Sequence, residues 1–412
     1  MFVCYLDRVN VGFAALTMNK DLGLSAYFFG LGAGAFYGGY CLFEVPSNLV
    51  LERVGARFWI ARIMITWGLL SAAMALVSGP VSFVTMRFLL GAAEAGFFPG
   101  ILFYFHYWFP MRHRGRMISW FTVATPISVA LGGPISTGLL GLDGTFGLAG
   151  WQWVFIAEGT PAVILGFVVL IYLRDRPAHA SWLTPEEKEW LAVELAQERR
   201  EIESVRTYTL FQSLTNIRVL ALAVIYFGIV TASVGLVIFV PQIIKELGVS
   251  NLATGFLAAI PYIVGTVSMI AWGYVSDRMG ERRWNLFTGC LVGAVGLIAA
   301  GLLGGSFWSL LAMCLATIGF YGSKGPFWPL PSTFLTGTAA AAGMALINSV
   351  GNVGGFMGPF VVGWIKDSTG SFNNGLYALA GFMVLAAVVT VAGVQAPRRR
   401  PVSAALQASP AE

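Results

Sequence analysis

Twelve long apolar stretches dominate this sequence. A helix that crosses a membrane needs about 20 mostly apolar residues. Backbone groups in lipid must bond within the protein, and these stretches are too long and too continuous for the strands of a barrel. The sequence therefore predicts an all-α membrane protein with twelve transmembrane helices, at residues 1–18, 27–51, 59–78, 82–105, 117–141, 151–173, 217–241, 253–275, 285–304, 307–331, 338–364 and 375–396.

The composition agrees with a membrane protein and excludes an ordinary soluble one. Hydrophobic residues make up 57% of the chain and charged residues only 11%, whereas soluble domains carry about 25% charged residues. The four cysteines form no Cys-x-x-Cys pair, the three histidines lack metal-ligand spacing, and no Gly-x-x-x-x-Gly-Lys-Ser/Thr loop occurs. We therefore expect no disulfide framework, metal centre, ATP hydrolysis or cofactor, and we interpret the cysteines as small fillers of helix interfaces.

Positive charge is concentrated on one side of the predicted membrane. Nineteen of the 25 Lys and Arg residues fall in loops or tails on the side that holds both termini, and three fall on the other side. Because cytoplasmic loops are enriched in Lys and Arg, we predict a multi-pass protein of the bacterial inner membrane with both termini cytoplasmic. This distribution accounts for the net charge of +5 without a nucleic-acid partner.

The beginning of the chain is unusual for a first transmembrane helix. Residues 1–6 contain no basic segment and lead directly to Asp7 and Arg8, so we predict no cleavable signal peptide. The six residues before Asp7 span only about 9 Å of helix. We expect that the first helix begins upstream of Met1 or is trimmed.

The apolar stretches fall into two groups of six with a polar segment between them. Inside this segment, Thr184, Pro185 and Glu187 predict a helix start, with a capping threonine, a proline at the first position and a glutamate at the third. We interpret the segment as a solvated connector. The predicted organisation is an N-terminal half at 1–174, a cytoplasmic linker at 175–216, a C-terminal half at 217–396 and a cytoplasmic tail at 397–412.

Two short patterns recur at one offset. Residues 52–57 (Glu-Arg-Val-Gly-Ala-Arg) follow the second stretch, and residues 277–282 (Asp-Arg-Met-Gly-Glu-Arg) follow the eighth, 225 positions later. A Gly-Pro pair at 133–134 in the fifth stretch recurs at 358–359 in the eleventh, again 225 positions later. Two matches at one offset indicate a duplication. Duplicated halves are typical of transporters that rock one half against the other around a central site.

The segment from Gly273 to Arg283 resembles the loop motif between the eighth and ninth helices of the major facilitator superfamily. The N-terminal copy departs from that motif, with Asn48 for its first glycine and Glu52 for its aspartate. Acids and arginines at helix ends can pair with each other and with helix dipoles and so hold one conformation. We expect such a gating role, rather than ordinary loop charges, for Glu52, Arg53, Gly55, Arg57, Gly273, Asp277, Arg278, Gly280 and Arg282.

Charged residues inside the predicted spans are functional candidates, because each costs about 3 kcal/mol at mid-bilayer. Arg87 and Glu94 are seven positions apart, which places them on one helix face about 10 Å apart. Asp7 and Arg8 are adjacent and both can line one cavity. We expect these four residues to converge in the N-terminal half. The full set is Asp7, Arg8, Glu44, Arg87, Glu94, Glu158 and Lys324.

This set combines two kinds of chemistry. Arginine offers a planar, bidentate partner for a carboxylate, and a carboxyl group in a buried site can exchange a proton near neutral pH. An anion site with a proton site is the minimum for proton-coupled anion uptake; structural ion pairs between helices are the alternative. For Glu44 and Glu158, nearer the span ends, a structural role is favoured. Lys324 is a further candidate to complement an anion or to pair with an acid.

Longer segments resemble the anion:cation symporter family, the organic-anion branch of the same superfamily. Residues 5–14 (Tyr-Leu-Asp-Arg-Val-Asn-Val-Gly-Phe-Ala) resemble its first-helix signature, and residues 87–100 resemble its fourth-helix motif. Residues 327–331 (Phe-Trp-Pro-Leu-Pro) and 348–355 (Asn-Ser-Val-Gly-Asn-Val-Gly-Gly) resemble its tenth and eleventh helices. The likeness covers nearly the whole chain.

The resemblance implies roles for the matching positions. Asp7 and Glu94 would be the proton-coupling acids, and the substrate carboxylate would bind Arg8 and Arg87. It also implies that Tyr40 donates a hydroxyl hydrogen bond, that Trp328 provides an apolar wall and an indole donor, and that Asn348 and Asn352 offer amides. Hydrogen bonding between helices is the alternative for the two asparagines.

Together these features predict a secondary transporter that carries a small organic anion with protons by alternating access. The substrate classes that fit are a sugar acid, a tartrate-like dicarboxylate or an aromatic carboxylate. In the expected cycle, protonation of the two acids frees the two arginines from ion pairs so that the anion can bind. An anion exchanger or uniporter without proton coupling is the alternative. No nucleophile–base pair in the spans favours an enzyme, and we expect a monomer in the lipid bilayer.

Overall fold

A computed structural model describes residues 1–204, 216–331 and 337–394 of the chain. Its described part contains no strand. The tail predicted at 397–412 and residues 205–215 of the predicted linker lie outside the described residues. The described helices are α1 (Phe2–Asp21), α2 (Ala26–Val54), α3 (Ala56–Ala73), α4 (Pro80–Glu94), α5 (Phe97–Trp108), α6 (Met111–Leu140), α7 (Gly150–Tyr172), α8 (Pro185–Ser204), α9 (Ile217–Lys245), α10 (Asn251–Met279), α11 (Arg283–Leu302), α12 (Trp308–Phe327), α13 (Gly337–Thr369) and α14 (Phe372–Gly393).

Twelve crossings account for every helix except α8, because α4 and α5 together form one crossing. The break between them lies at Gly96, whose φ of +87° is in the left-handed region that glycine tolerates. Within the described residues, nine of the twelve crossings are long and apolar enough to span a membrane by composition alone. The other three are α1, α2 and α12, and α1 and α2 carry Asp7, Arg8 and Glu44. The predicted all-α fold of two six-helix halves is confirmed.

The duplication predicted from the sequence extends to the helix boundaries. Helix α2 spans 26–54 and α10 spans 251–279, so both ends are displaced by 225 residues. Ser25 and Ser250 cap the two helices by accepting a hydrogen bond from a first-turn N–H. Gly55 (φ 98°) and Gly280 (φ 62°) end them in conformations that favour glycine. The repeated glycine of the loop motif is therefore a helix terminator in both halves.

The predicted start of the connector helix is also observed. The backbone N–H of Glu187 donates to Thr184 Oγ1 at 3.2 Å, and the Glu187 carboxylate accepts from the Thr184 N–H at 2.9 Å. This reciprocal pair is a capping box. Pro185 occupies the first helical position of α8.

Three helix pairs carry the principal contacts between the halves: α2 with α13, α1 with α9, and α6 with α10. Asp367, near the end of α13, accepts hydrogen bonds from the backbone N–H groups of Ala26 (3.0 Å) and Tyr27 (2.9 Å) at the start of α2. We call this end of the bundle the closed face. Among the side chains that the structure describes, Glu44 makes the last polar contact of α2 with α13. The next polar side chain of α2, Ser47, bonds within its own half to Trp59.

Candidate functional site

The centre of the N-terminal half holds a buried ion pair between α1 and α4. Arg8 Nε donates to Glu94 Oε1 at 2.6 Å, and Arg8 Nη2 lies 2.5 Å from the same oxygen. The side chain of Glu94 is fully buried and that of Arg8 is 11% exposed. The other carboxylate oxygen, Oε2, has no hydrogen-bond partner among the described residues. Glycines permit this geometry, because Gly91 on α4 lies directly against the backbone of Phe36 on α2 and leaves no room for a side chain.

Cys4 also contacts this ion pair. Its thiol donates to Glu94 Oε1 at 3.0 Å, and the residue is 1% exposed. Cys4 is packed in the hydrophobic core of the N-terminal half, as the sequence interpretation expected, but the hydrogen bond to Glu94 was not predicted. Cys4 makes this bond because it precedes Arg8 by one helical turn and so shares its face of α1.

Aromatic rings surround the Arg8 guanidinium. Its central carbon lies 5.0 Å from the ring centre of Tyr5, 5.4 Å from that of Phe36 and 4.9 Å from that of Tyr40. Rings at these distances attract a cation through their electron-rich faces. The predicted site residue Tyr40 is 4% exposed and contacts Arg8 through its ring, so the structure brings both to one place. The predicted hydroxyl donation by Tyr40 stays a prediction.

Arg87 is a buried cation that forms no ion pair with a carboxylate of the described residues. It is 0% exposed, and its guanidinium carbon lies 4.9 Å from the ring centre of Phe36. Its Nε and Nη1 atoms have no hydrogen-bond partner among the described residues. Phe36 therefore contacts both arginines. A buried charge without a partner is costly, so this arrangement is suited to receive an anion.

Asp7 differs from the expectation that both acids pair with arginines. Its carboxylate accepts from Trp67 Nε1 at 2.6 Å and from Ser71 Oγ at 2.9 Å, both on α3, and from Asn10 Nδ2 at 3.4 Å. No Lys or Arg nitrogen lies within the 4.0 Å ion-pair limit of Asp7 in the described ranges. Adjacent helical residues point about 100° apart, and Asp7 therefore faces α3 while Arg8 faces α4. The predicted pairing of all four residues was wrong for Asp7 and Arg87.

The two asparagines on α13 bind one carboxylate from the other half. Asn348 Nδ2 donates to Glu44 Oε1 at 3.3 Å, and Asn352 Nδ2 donates to Glu44 Oε2 at 3.2 Å. Glu44, on α2, is 8% exposed. The i, i+4 spacing thus places both amides on one face of α13. In this conformation their donors hold the two halves together, which is the helix–helix bonding that the sequence left open.

Trp328 follows the end of α12 and is 37% exposed. Its ring lies 5.1 Å from that of Tyr226, and Tyr226 stacks on Phe327 at 5.2 Å. This cluster supports the indole as an apolar wall. One turn before it, Lys324 Nζ lies 4.7 Å from the ring centre of Tyr321. Lys324 forms no ion pair with a described carboxylate.

The N-terminal copy of the loop motif makes its contacts within its own half. Arg57 donates to the Leu170 carbonyl of α7 through Nε at 2.6 Å, and its backbone N–H donates to Asp175 Oδ1 at 2.8 Å. The side chains of Glu52 and Arg53 are exposed, and no hydrogen bond or ion pair of theirs occurs in the described part of the chain. In this conformation Glu52 therefore does not pair with the motif arginines, and Asp175, beyond the sixth crossing, accepts from the Arg57 backbone. The gating role of the motif residues stays a prediction.

The C-terminal copy pairs as predicted. Arg282 Nη2 lies 3.6 Å from Asp277 Oδ1, with the Arg282 side chain partly exposed and that of Asp277 exposed. Arg283 donates from its side chain to the Val391 carbonyl at the end of α14. Gly273 lies inside α10, and Arg278 is exposed at its last turn. In each half, the loop motif follows the second crossing and is hydrogen-bonded to the sixth and last crossing of the same half.

Several residues of this site were missed by sequence reasoning. Trp67 and Ser71 bind Asp7, and Phe36 contacts both arginines. The spacing of Trp67 and Ser71 is i, i+4, a weak signal for one polar face on α3. Phe36 looked like any other aromatic residue of an apolar stretch. Only the crossing of α1, α2 and α3 gives these residues their partners.

Comparison with known proteins agrees with the fold. The model of the Major Facilitator Superfamily matches residues 1–359 and 222–411. A protein named "Putative tartrate transporter" from Agrobacterium vitis is 53% identical over 95% of this chain and 90% of its own length. A "Quinolone resistance transporter" from Acinetobacter baumannii is 44% identical over 94% of this chain and 90% of its own.

A solved structure shares the architecture. It is described as a bacterial homologue of the human lysosomal transporter Spinster in an inward-facing, unoccupied conformation. The TM-score is 0.80 at 16% identity, covering 95% of this chain and 94% of that one, so the likeness concerns the fold. The family match and the relatives each span most of the chain. The chain therefore belongs to the major facilitator superfamily of membrane transporters.

Proposed function

We propose that this protein imports a small organic anion together with protons by alternating access. The observation that carries the proposal is the buried ion pair of Arg8 and Glu94 beside the unpaired Arg87. Two guanidinium groups and one carboxylate leave a net positive site that an anion can neutralise. The carboxylate is in direct competition with that anion for Arg8.

Protonation of Glu94 couples the two events. A neutral Glu94 releases Arg8, whose Nε and Nη2 donors then become available to a substrate carboxylate. Loss of the proton restores the ion pair and expels the anion from Arg8. Proton and anion therefore bind best together, which is the thermodynamic requirement for symport. Asp7, held by neutral donors on α3, is the second acid of the proposal.

The substrate we favour is a hydroxylated dicarboxylate of the tartrate type. The name of the Agrobacterium vitis relative supports this class. Lys324 adds a third cation, in the C-terminal half, that forms no ion pair in the described residues. One carboxylate on the arginines and the other on Lys324 would bridge the two halves. The amides of Asn348 and Asn352 are then suited to bind substrate hydroxyls once they leave Glu44.

We further propose the orientation with both termini in the cytoplasm. The distribution of Lys and Arg supports it, and it makes the closed face periplasmic. The halves 1–174 and 217–396 would then rock about the central site, with the two loop motifs bracing each half on the cytoplasmic side.

Transport by purified protein in liposomes tests this proposal. A thermal-shift screen against organic acids selects the substrate, and labelled uptake is then measured with an inward proton gradient, with and without an uncoupler. We expect accumulation that the uncoupler abolishes. Accumulation that survives the uncoupler and requires internal substrate identifies an exchanger, and equilibration without accumulation identifies a uniporter. Glu246→Gln is the matched control, since Glu246 pairs with Lys366 outside the central site.

The substrate class has its own test. Lys324→Gln removes the proposed second carboxylate-binding group while keeping a polar side chain. We expect the KM for a dicarboxylate to rise at least about 10-fold, the equivalent of one charge-assisted hydrogen bond, and the KM for its monoamide to change little. An equal change for both substrates would contradict the dicarboxylate assignment.

A further inference from the structure

Glu44 is a buried carboxylate that joins the two halves without a cation. It is 8% exposed and forms no ion pair with a described Lys or Arg. Its oxygens accept from two neutral amides of the other half, Asn348 at 3.3 Å and Asn352 at 3.2 Å. Both distances are at the long end of the range for such bonds, and bonds from charged donors are shorter and stronger. We call these three residues the amide clamp.

The amide clamp lies close to the arginine site. Tyr40 precedes Glu44 by one helical turn, so the two side chains share a face of α2. The ring centre of Tyr40 lies 4.9 Å from the guanidinium carbon of Arg8. Four residues of helix rise about 6 Å. The clamp and the Arg8 guanidinium therefore lie at levels about one helical turn apart, within reach of one small molecule.

The Glu44 side chain sits where it can leave the amides without disturbing the closed face. Among the described side chains, Glu44 makes the last polar contact of α2 with α13, and the next one, Ser47, bonds within its own half. The closed face lies at the opposite end of α2, at Ala26. A hydroxyl oxygen that takes the place of the carboxylate also accepts hydrogen bonds, so the exchange leaves neither amide without a partner.

We propose that Glu44 is a built-in competitor for the hydroxyl groups of the substrate. In the empty transporter it occupies the amides of Asn348 and Asn352, and a hydroxylated dicarboxylate displaces it. The apparent affinity is the intrinsic affinity reduced by the fraction of molecules whose amides are free. Glu44 therefore lowers the affinity for hydroxylated acids in particular, and its return to the amides promotes their release. This inference rests on the proposed function, which takes the substrate to be of the tartrate type.

Binding of tartrate and succinate to the purified protein isolates this effect. Both acids carry two carboxylates, and only tartrate carries hydroxyl groups, so the ratio of the Kd for succinate to the Kd for tartrate reports the amides. Isothermal titration calorimetry measures both constants. We expect Glu44→Gln to raise this ratio at least about 5-fold, because a neutral acceptor forms a weaker hydrogen bond than a carboxylate. The glutamine nitrogen, in addition, cannot accept from the second asparagine.

Two sets of variants control for the loss of a charge. In the double variant Asn348→Leu and Asn352→Leu, the ratio should fall, and adding Glu44→Gln should change it less than in the wild type. Glu158→Gln removes another buried carboxylate of a span. Glu158, on α7, is 2% exposed and accepts from Ser136 Oγ of α6 at 2.7 Å, within the N-terminal half. This variant should leave the ratio unchanged.

Infrared difference spectra report the displacement directly. Glu44→Gln identifies the carboxylate band of Glu44 in protein held in lipid discs. We expect tartrate to shift this band in the wild type and succinate to shift it much less. A residue that only ties the two helices together would respond equally to both acids.

The outcomes separate this inference from the function on which it rests. An unchanged ratio in Glu44→Gln, or a Glu44 band that responds equally to both acids, overturns the competition even if uptake is proton-driven. Tartrate uptake that ignores the proton gradient overturns the proposed coupling, while a raised ratio still supports the competition. If neither acid binds the wild type, the tartrate-type substrate and the competition are both overturned.

Discussion

A single methyl group at the contact of α2 with α13 should shift the balance between conformations. A Cβ atom at Gly34 would lie 2.7 Å from the Phe356 carbonyl oxygen and 3.1 Å from its ring. An ordinary contact begins at 3.4 Å, so the helices must separate by about 0.7 Å, and overpacking of this kind costs about 1–3 kcal/mol. Gly34→Ala therefore disfavours the closed face by about 5- to 150-fold relative to a conformation in which α2 and α13 have parted.

Gly38→Ala is the matched control, because its Cβ would meet the same Phe356 ring at 3.9 Å, an ordinary distance. Both Gly→Ala substitutions raise helix propensity by the same amount, so the difference between the two variants reports the steric effect alone. Spin labels at the exposed residues Val81 and Leu302, in a background without the four native cysteines, report the separation of the halves at the closed face. We expect a longer distance population in Gly34→Ala alone. Identical distance distributions for the two variants would refute the reasoning.

Two further predictions concern hydrogen bonds that the sequence did not reveal. Trp67→Phe removes the indole N–H that donates to Asp7 at 2.6 Å. Denaturant titration should show that the free energy of unfolding falls by about 1.5–3 kcal/mol. An unchanged midpoint would show that this hydrogen bond does not stabilise the fold. Asp367→Asn removes the charge that accepts from the N–H groups of Ala26 and Tyr27 at the start of α2. It should weaken the closed face by about 0.3–1 kcal/mol, seen as a smaller shift in the same spin-label distances, and no shift at low salt would contradict it.

Much of the fold could be predicted because each segment that crosses the bilayer has to satisfy the same requirements of length and polarity by itself. A span must be long and apolar, so twelve crossings follow from the sequence, and the duplication follows from matched loop residues. The sequence did not predict the break inside the fourth crossing, where α4 and α5 meet at Gly96. A glycine among apolar residues carries no signal of a break, because only its backbone conformation distinguishes it from the other glycines of the spans.

The site was predictable only in its composition. Charges inside spans must face protein, so Asp7, Arg8, Arg87 and Glu94 were natural candidates. Their partners depend on how helices cross, and a pattern along one helix cannot give that. The direction of Asp7 toward α3 rather than α4 is such a case.

Contacts between the halves were the least predictable. Glu44 and Asn348 are 304 residues apart, and they meet only in a conformation that closes α2 against α13. Within the N-terminal half, the backbone N–H of Arg57 meets Asp175 across 118 residues, although the motif itself suggested an internal pair. Such contacts depend on how distant helices pack together, and a pattern along one helix does not reveal that packing.

The central claim is that Glu94 links proton movement to the binding of the anion at Arg8. Glu94→Gln, a neutral side chain of nearly the same shape, separates coupling from binding when gradient-driven accumulation and substrate exchange are measured on the same liposomes. We predict that the variant exchanges substrate across the membrane and no longer accumulates it in response to a proton gradient. Wild-type accumulation in Glu94→Gln, together with normal exchange, would contradict the account.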